Sequence, residues 1–209
     1  MNNQKGFTLL ELMFVVLLMP MIFLSMYYVL TMANVIFQMD DVYSRVNQSA
    51  LQVLRNVNRE IGQTSPNLLP SHLNITTDGN NNSIVRFQIP VDWDNDGDVV
   101  TSAANPAVEW GAYDQMGQLQ NGRFGGWIRY LVNNSNQLIR DVLDSGLAPV
   151  SGTSRVVANN VRTFTATQTQ NALTTTLNLR ATDTVGQGGS SRNVQQVFTS
   201  STILRNAVN

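Results

Sequence analysis

The sequence predicts an α+β protein in which a long N-terminal helix is followed by an antiparallel β-sheet. Two observations support this class. No Asp, Glu, Lys or Arg occurs between Glu11 and Asp40, so the chain begins with a long uncharged block. After Gly62 the helical spacing of apolar residues disappears, and apolar and polar residues alternate as they do in half-buried strands. A helix followed by a run of strands is typical of α+β domains.

The uncharged block has the length and composition of a membrane-spanning helix. A run of about 20 apolar residues crosses a hydrocarbon core of about 30 Å, and residues 7–33 provide it. Lys5 precedes the block, so the positive-inside rule places the N-terminus in the cytoplasm and the later residues outside the membrane. A secretory signal peptide fits poorly, because the run is too long, contains Glu11 and is not followed by an Ala-x-Ala site.

Two residues in this block are unusual for a plain membrane anchor. An ionised carboxylate at the centre of a membrane helix costs roughly 2.5–3.5 kcal/mol or more when it has no partner. Glu11 lies near the cytoplasmic end, so it is either an interfacial residue close to the headgroups or a residue that awaits an opposite charge in an assembly. Pro20 cannot donate the helical hydrogen bond to the carbonyl of Val16, which predicts a kink or a locally open turn.

The helix is predicted to continue beyond the membrane to Ile61. No Pro or Gly occurs between Pro20 and Gly62, so we expect a single helix from Phe7 to Ile61, about 80 Å long. Gly62 then suits a left-handed C-terminal cap. The second half of this helix carries one apolar stripe with steps of three and four residues: Ile36, Met39, Val42, Val46, Ala50, Val53, Leu54, Val57 and Ile61.

The remainder of the chain has the composition of several antiparallel strands. Asn133 to Asn136 predicts a four-residue hairpin loop between two of them. Pro90 places its strand at a sheet edge or near the end of that strand. The last segment is expected to close the sheet. The predicted strands are residues 85–91, 127–132, 137–143, 161–168, 173–180 and 194–204.

The first residues resemble a known processing signature. Gly6-Phe7-Thr8-Leu9-Leu10-Glu11 is similar to the signature of type IV prepilins and type II secretion pseudopilins, in which a short charged leader ends in Gly and Glu is the fifth residue after it. The resemblance implies that prepilin peptidase cleaves between Gly6 and Phe7 and that the new amine of Phe7 is methylated. It also implies that Glu11 accepts this amine from a neighbouring subunit, which would give the buried carboxylate an opposite charge.

The same resemblance implies four parts of the chain and a location for each. Residues 1–6 would be the leader peptide, 7–33 the transmembrane half of the helix, 34–62 its amphipathic half and 63–209 a β-rich globular head. The protein would span the bacterial inner membrane once with a periplasmic head, and would later join a pilus or pseudopilus filament. The implied partners are prepilin peptidase, other minor and major pilins or pseudopilins, and the inner-membrane assembly platform.

The order of the later segments is similar to that of J-type minor pseudopilins and related minor pilins. The residues that carry this weaker resemblance are the strand before the acidic loop, residues 157–161 and residues 202–206. The implied function is that of a minor subunit at the filament tip or in the initiation of assembly. A major pilin, and a membrane-anchored adhesin or DNA-uptake protein, are the alternatives.

The acidic loop is the one candidate metal site. Carboxylates at alternate residues, followed by Gly97, resemble the first half of an EF-hand loop and indicate calcium. The position that needs a bidentate Glu is Ala103, so Glu109 or a backbone carbonyl would have to replace it. A solvated turn is the alternative, because Asp and Gly are ordinary turn residues. The four candidate ligands are Asp92, Asp94, Asp96 and Asp98.

Composition gives no support to other functions. Thirteen Lys and Arg against 14 Asp and Glu leave a net charge of −1, which lacks the basic character of nucleic-acid-binding surfaces. The chain has no Cys, and His72 is its only His, so neither a disulfide nor a multi-His metal site is predicted. We expect no catalytic or cofactor-binding residues, and therefore no enzyme. His72 is expected in a loop, and Trp110 and Trp127 in packing contacts.

Overall fold

A computed structural model describes residues 8–65, 71–92, 97–100, 108–113, 126–184 and 191–204. The predicted α+β class is confirmed, because one long apolar helix is followed by antiparallel sheets. The elements among these residues are α1 (Leu9–Ile61), β1 (Leu73–Thr77), β2 (Ser83–Phe87), β3 (Ile89–Pro90), β4 (Trp110–Gly111), β5 (Trp127–Val132), β6 (Leu138–Leu143), β7 (Arg155–Ala158), β8 (Val161–Thr169), β9 (Ala172–Thr184) and β10 (Ser191–Ile203).

The first half of α1 exposes an almost entirely apolar surface. The predicted single helix is confirmed over Leu9–Ile61, a length of 53 residues, and it continues on both sides of Pro20. An 18-residue window of the helix has a mean hydropathy of 2.4, and none of that window is buried. By length and composition, α1 is the one helix within the described residues that qualifies as a membrane span.

The second half of α1 packs with the face that its periodicity predicts. Five positions of the apolar stripe are 0–4% exposed: Ala50, Val53, Leu54, Val57 and Ile61. Ile36, where the predicted stripe begins, is instead 55% exposed. The hydrophobic core therefore involves the helix mainly from Ala50 onwards.

The strands form three sheets. A five-stranded sheet has the order β1-β2-β5-β6-β7, a three-stranded sheet has the order β10-β9-β8, and β3 pairs with β4. The expectation that residues 194–204 close a single sheet is therefore wrong. β10 joins β9 and β8 in a separate sheet, because β8 pairs with β9 over its whole length and β10 lies on the other side of β9.

The predicted strand at residues 85–91 is divided in two. β2 ends at Phe87 and pairs with β1 and β5, whereas Ile89–Pro90 pair with β4. Gln88 lies between them, and its backbone N–H donates to the carbonyl of His72 at 2.9 Å. This bond continues the β1–β2 ladder by one residue, and the following residues Ile89 and Pro90 pair with β4 instead. Pro90 has no N–H with which to extend a ladder. The prediction that Pro90 ends its strand is confirmed.

The predicted hairpin at residues 127–143 is confirmed. β5 and β6 are antiparallel, with Val132 opposite Leu138 nearest the turn. The Asn133 side-chain oxygen accepts the backbone N–H groups of Ser135 and Gln137 at 3.0 and 2.8 Å. This is an Asx-type turn, in which the amide side chain satisfies backbone donors that the loop leaves unpaired.

Gly62 ends the helix in a different way from the one predicted. Its φ is not positive, so the left-handed cap is wrong. The chain instead leaves α1 through two tighter turns, in which Gln63 N donates to Glu60 O and Thr64 N donates to Ile61 O. Gly is needed at residue 62 for space, since a Cβ there would lie 2.8 Å from the carbonyl of Asn58 and 3.3 Å from Oγ1 of Thr202.

One compact unit contains the hydrophobic core. It comprises residues 45–181 and 194–209, and residues 1–44 with 182–193 form a second unit. The rings of Phe87 and Tyr130 stack at the centre of the first unit with their centroids 6.1 Å apart. Both side chains are fully buried, as is Phe164 of β8. The core thus receives large side chains from both of the larger sheets and from the end of α1.

Candidate functional site

The N-terminus of α1 is organised by a reciprocal pair of side chains. The Glu11 carboxylate accepts the backbone N–H of Thr8 at 2.9 Å and the Thr8 hydroxyl at 3.0 Å. The backbone N–H of Glu11 in turn donates to the Thr8 hydroxyl oxygen at 3.3 Å. This arrangement is a capping box, which satisfies N–H groups that have no partner within the first turn of a helix.

The capping box gives Glu11 a role within its own chain. A carboxylate in an apolar helix is less costly when it accepts hydrogen bonds, and an unpaired N–H in the same surroundings is costly as well. Glu11 was predicted from the sequence as a functional residue, whereas Thr8 was not. The Thr8-Leu9-Leu10-Glu11 spacing is the usual Thr-x-x-Glu signal, so the pair was visible in the sequence. The predicted processing residues Gly6 and Phe7 lie outside the described residues.

A partly buried ion pair joins α1 to the five-stranded sheet. One carboxylate oxygen of Glu60 accepts Nε of Arg140 at 3.0 Å and the hydroxyl of Tyr130 at 2.8 Å. The Arg140 side chain is 5% exposed, and that of Glu60 is 21% exposed. Burial, together with the neighbouring Glu60 charge, raises the pKa of Tyr130 well above its usual range. The helix end is thus attached by charge as well as by apolar packing.

A chain of hydrogen bonds extends from this ion pair to the start of the acidic loop. Nη2 of Arg140 donates to the backbone carbonyl of Tyr113 at 3.0 Å. The Tyr113 hydroxyl accepts the backbone N–H of Asp92 at 3.3 Å. The first residue of the acidic loop is therefore connected through Tyr113 and Arg140 to Glu60 of α1.

A hydrogen bond joins the two described ends of the acidic loop. Oδ2 of Asp92 accepts the N–H of Gly97 at 3.0 Å, and Gly97 has a φ of 92°, which favours glycine. The buried residue Glu109 donates its backbone N–H to Val99 at 2.8 Å and accepts that of Val91 at 2.9 Å. Glu109 therefore lies beside both ends of the loop, where the sequence analysis looked for an additional ligand. Asp98 is described as well, whereas the candidate ligands Asp94 and Asp96 lie outside the described residues.

His72 and Trp110 form a packing contact near this region. The His72 ring stacks on Trp110 with centroids 4.2 Å apart, and its Nδ1 lies 2.7 Å from the side-chain oxygen of Gln88. His72 directly precedes β1 and is only 8% exposed. Trp110 thus packs as predicted, and His72 occupies a buried position that its lone occurrence in the sequence did not indicate.

The comparison with known families identifies the first residues of the chain. A family model described as the prokaryotic N-terminal methylation motif matches residues 1–27. The methylation motif is the prepilin signal of type IV pilin-like proteins, and the matched residues include Thr8 and Glu11 of the capping box. Together with the long apolar helix and the antiparallel sheets, it supports a type IV pilin-like protein that is processed as a prepilin. No curated protein and no solved structure matches the chain.

Proposed function

We propose that the protein is a minor pilin or pseudopilin, a structural subunit of a type IV pilus or a type II secretion pseudopilus. The observation that carries the proposal is that the methylation motif of residues 1–27 includes the start of one continuous helix that ends at Ile61. The first half of this helix exposes its apolar side chains, and the second half is anchored in the core. A subunit of this kind is held in the membrane before assembly and in a helix bundle afterwards.

The exposed half of α1 needs an apolar environment throughout. A continuous apolar surface on a protein marks a membrane or protein contact, and residues 9–30 are long enough to cross the inner membrane. On entering a filament, the same surface exchanges lipid for the helices of other pilins or pseudopilins. The assembly platform and the prepilin peptidase, both in the inner membrane, are the partners that this sequence of events requires.

Glu11 would provide a polar contact between neighbouring subunits during assembly. Cleavage after Gly6 would create a positively charged amine at Phe7, one residue before the Thr8 N–H that Glu11 accepts. A buried carboxylate gains far more from a full positive charge than from neutral donors. The methylated amine of a neighbouring subunit would therefore take over part of the hydrogen bonding of the capping box and fix the register between the two helices.

The predicted cleavage after Gly6 can be tested directly on the protein. Its N-terminal mass is measured after expression with and without prepilin peptidase, for the natural chain and for Gly6→Leu. We expect a chain that begins at methylated Phe7 only for the natural sequence with the peptidase. Gly79→Leu is the matched control, since a side chain at residue 79 meets open space, and it is expected to be cleaved normally. An intact Met1 in all cases, or a cut near Ala33, contradicts the proposal.

The role as a minor subunit is tested by copy number. A protein at the tip or in the initiation complex is expected at a few copies in each sheared filament, and its loss reduces filament number. A stoichiometry equal to that of the bulk subunit would identify a major pilin instead. Normal filaments combined with lost surface adhesion or DNA uptake would favour the anchored binding protein.

We further propose that the acidic loop binds calcium through Asp92, Asp94, Asp96 and Asp98. The donor set fits, because calcium prefers carboxylate and carbonyl oxygens and the Asp92–Gly97 hydrogen bond holds the loop closed. When bound, the ion would neutralise a group of like charges. Within the chain, hydrogen bonds of Glu109 and Tyr113 attach the two ends of the loop to the core.

A further inference from the structure

A groove runs between the end of α1 and β10. Its volume is about 730 Å³, and its walls are one flank of α1 between Leu51 and Gln63 and the β10 residues Val197 to Ile203. Three apolar side chains along these walls are strongly exposed: Leu51 at 57%, Val197 at 60% and Ile203 at 73%. The floor is polar, because the Asn58 side chain donates to the hydroxyl of Ser200 at 2.7 Å. The groove therefore combines exposed apolar walls with hydrogen-bonding capacity.

Among the strands that the structure describes, β10 pairs with β9 along one edge and with no strand along the other. β10 is the outer strand of its sheet, and Leu204, directly after it, donates its N–H to Asn171, just before β9, at 2.8 Å. The side-chain contacts of Thr174 with Ser201 and of Thr176 with Thr199 keep the same register. In an antiparallel ladder successive residues point to opposite sides. Thr199, Ser201 and Ile203 therefore direct their backbone N–H and C=O groups away from β9.

From Asn193 onwards, β10 has none of the charged residues or prolines that usually prevent strand pairing at an edge. Natural edge strands are protected by Lys, by Pro, by bulges or by shortness. The strand is 13 residues long, and its one charged residue is Arg192, close to its start. An edge of this kind is a template for an additional strand from another chain.

Two arginines define the charge of the groove. Arg55 and Arg59 lie one helical turn apart on α1 and both line the groove. Both are exposed, and neither forms a hydrogen bond or an ion pair with another residue in the described part of the chain. Among the described residues that line the groove, the wall opposite β10 thus presents two positive charges and no acidic side chain.

We propose that the groove binds an extended acidic segment of a partner protein, which adds a strand to the edge of β10. The main chain of the segment would pair with Thr199, Ser201 and Ile203, and its carboxylates would face Arg55 and Arg59. Because side chains alternate along a strand, carboxylates at every second position would all face α1. The exposed apolar side chains of the groove would cover the residues between them.

A second copy of this chain is a poorer occupant. Pairing two β10 edges about a two-fold axis would bring Arg55 and Arg59 of both copies to the same interface. Like charges across an interface oppose association and select against the wrong partner. The charge of the groove therefore favours an acidic segment of a different sequence.

The probe is a blocked peptide of about eight residues, a typical strand length, with glutamate at every second position and valine or threonine between. Binding to the full chain in detergent micelles is followed by fluorescence anisotropy, and the site by hydrogen exchange. We expect slower exchange at Thr199, Ser201 and Ile203 and weaker binding as salt is added. The same peptide with lysine in place of glutamate, or with alternate backbone nitrogens methylated, is expected to bind at least about tenfold more weakly.

Two pairs of variants test the two halves of the proposal. Arg55→Glu with Arg59→Glu should weaken binding by about tenfold or more, whereas Arg86→Glu with Arg155→Glu changes the net charge equally outside the groove and should not. Ser201→Pro removes an outward N–H without breaking the ladder to β9 and should abolish binding. Ser201→Ala keeps that N–H and should bind normally.

Three results would overturn the proposal. One is equal binding of the lysine and glutamate peptides. Another is unchanged binding of the peptide with methylated backbone nitrogens, a measurement that tests strand pairing even if the Ser201→Pro variant does not fold. The third is protection of the same amides by self-association of the chain without peptide. None of these measurements depends on cleavage after Gly6, so their failure leaves the proposed function intact.

Discussion

At the scale of single residues, one carboxylate oxygen of Glu60 holds two partners from different strands. Tyr130 and Arg140 lie 70 and 80 positions from Glu60 along the chain, so no local pattern could have predicted the cluster. Removing one member of a buried charged pair is costly, because the other charge remains without compensation. Loss of the Tyr130 hydroxyl is milder, since Arg140 continues to satisfy Glu60.

Tyr130→Phe is expected to change the response to alkaline pH. Burial raises the pKa of Tyr130 above its unfolded value of about 10, so the folded state keeps its proton more tightly. The associated stability is complete below about pH 10 and is lost as the pH rises further. The variant should lose about 0.5–1.5 kcal/mol at pH 7 and should show a smaller loss of stability above pH 10.

Thermal unfolding of the full chain in detergent between pH 7 and pH 11 provides this measurement. The exposed residue Tyr28 supplies the control, and Tyr28→Phe should unfold as the natural chain does at every pH. An alkaline loss of stability that is the same in Tyr130→Phe and in the natural chain would contradict the assignment.

The capping box gives a second prediction at this scale. Thr8→Ala removes the hydroxyl that pairs with Glu11 and should cost the first turn of α1 about 1 kcal/mol. Amide exchange of residues 9–12 in micelles should then accelerate about fivefold, since exchange reports local opening. Thr8→Ser retains the hydroxyl and is expected to exchange at the natural rate. Equal rates in the two variants would mean that the box contributes nothing.

At the scale of elements, local signals predicted most of the secondary structure. The helix and the β5–β6 hairpin followed from periodicity and from turn residues. β1 was missed, although Asp78-Gly79 before β2 is a hairpin signal. The division between β2 and β3 could not be predicted, because it depends on the pairing of Ile89–Pro90 with Trp110–Gly111, which lie further along the chain.

The end of α1 supplies the prediction for this scale. Gly62→Ala places a Cβ 2.8 Å from the Asn58 carbonyl, so the helix end or β10 must shift. Such overpacking typically costs 1–3 kcal/mol. Gly79→Ala is the matched control, because its Cβ meets nothing within 4 Å and its φ is not positive. Thermal unfolding monitored by tryptophan fluorescence should show a lower midpoint for Gly62→Ala alone.

At the scale of the whole molecule, one chain combines an exposed apolar helix surface with a packed hydrophobic core. The apolar first half of α1 suits lipid, whereas the core of the sheets depends on residues from Ala50 onwards. Composition alone predicted this contrast, because charged residues are absent from 12–39 and ordinary thereafter. The separation of the strands into two larger sheets was not predictable, since strand patterns reveal faces but not the partners of each strand.

Calcium should stabilise the molecule if the acidic loop binds it. Ligand at about 100 times its dissociation constant adds about 2.7 kcal/mol to the folded state, which corresponds to a rise in the unfolding midpoint of roughly 5–10 °C for a chain of this size. Asp92→Asn with Asp98→Asn should remove the rise, and Asp40→Asn on the exposed surface of α1 should not. No difference between calcium and a chelator would identify the loop as a solvated turn.

The ion pair between Glu60 and Arg140 has a mechanical consequence. In a filament of the proposed kind, tension would pull on α1 in the direction of its axis, and the bond between Glu60 and Arg140 would carry part of that load into the five-stranded sheet. Apolar contacts have no directional preference, whereas the directional bond between Arg140 and Glu60 must break before the helix can be drawn past the strands. We therefore expect the rupture force of a single subunit to depend on this one bond more strongly than its equilibrium stability does.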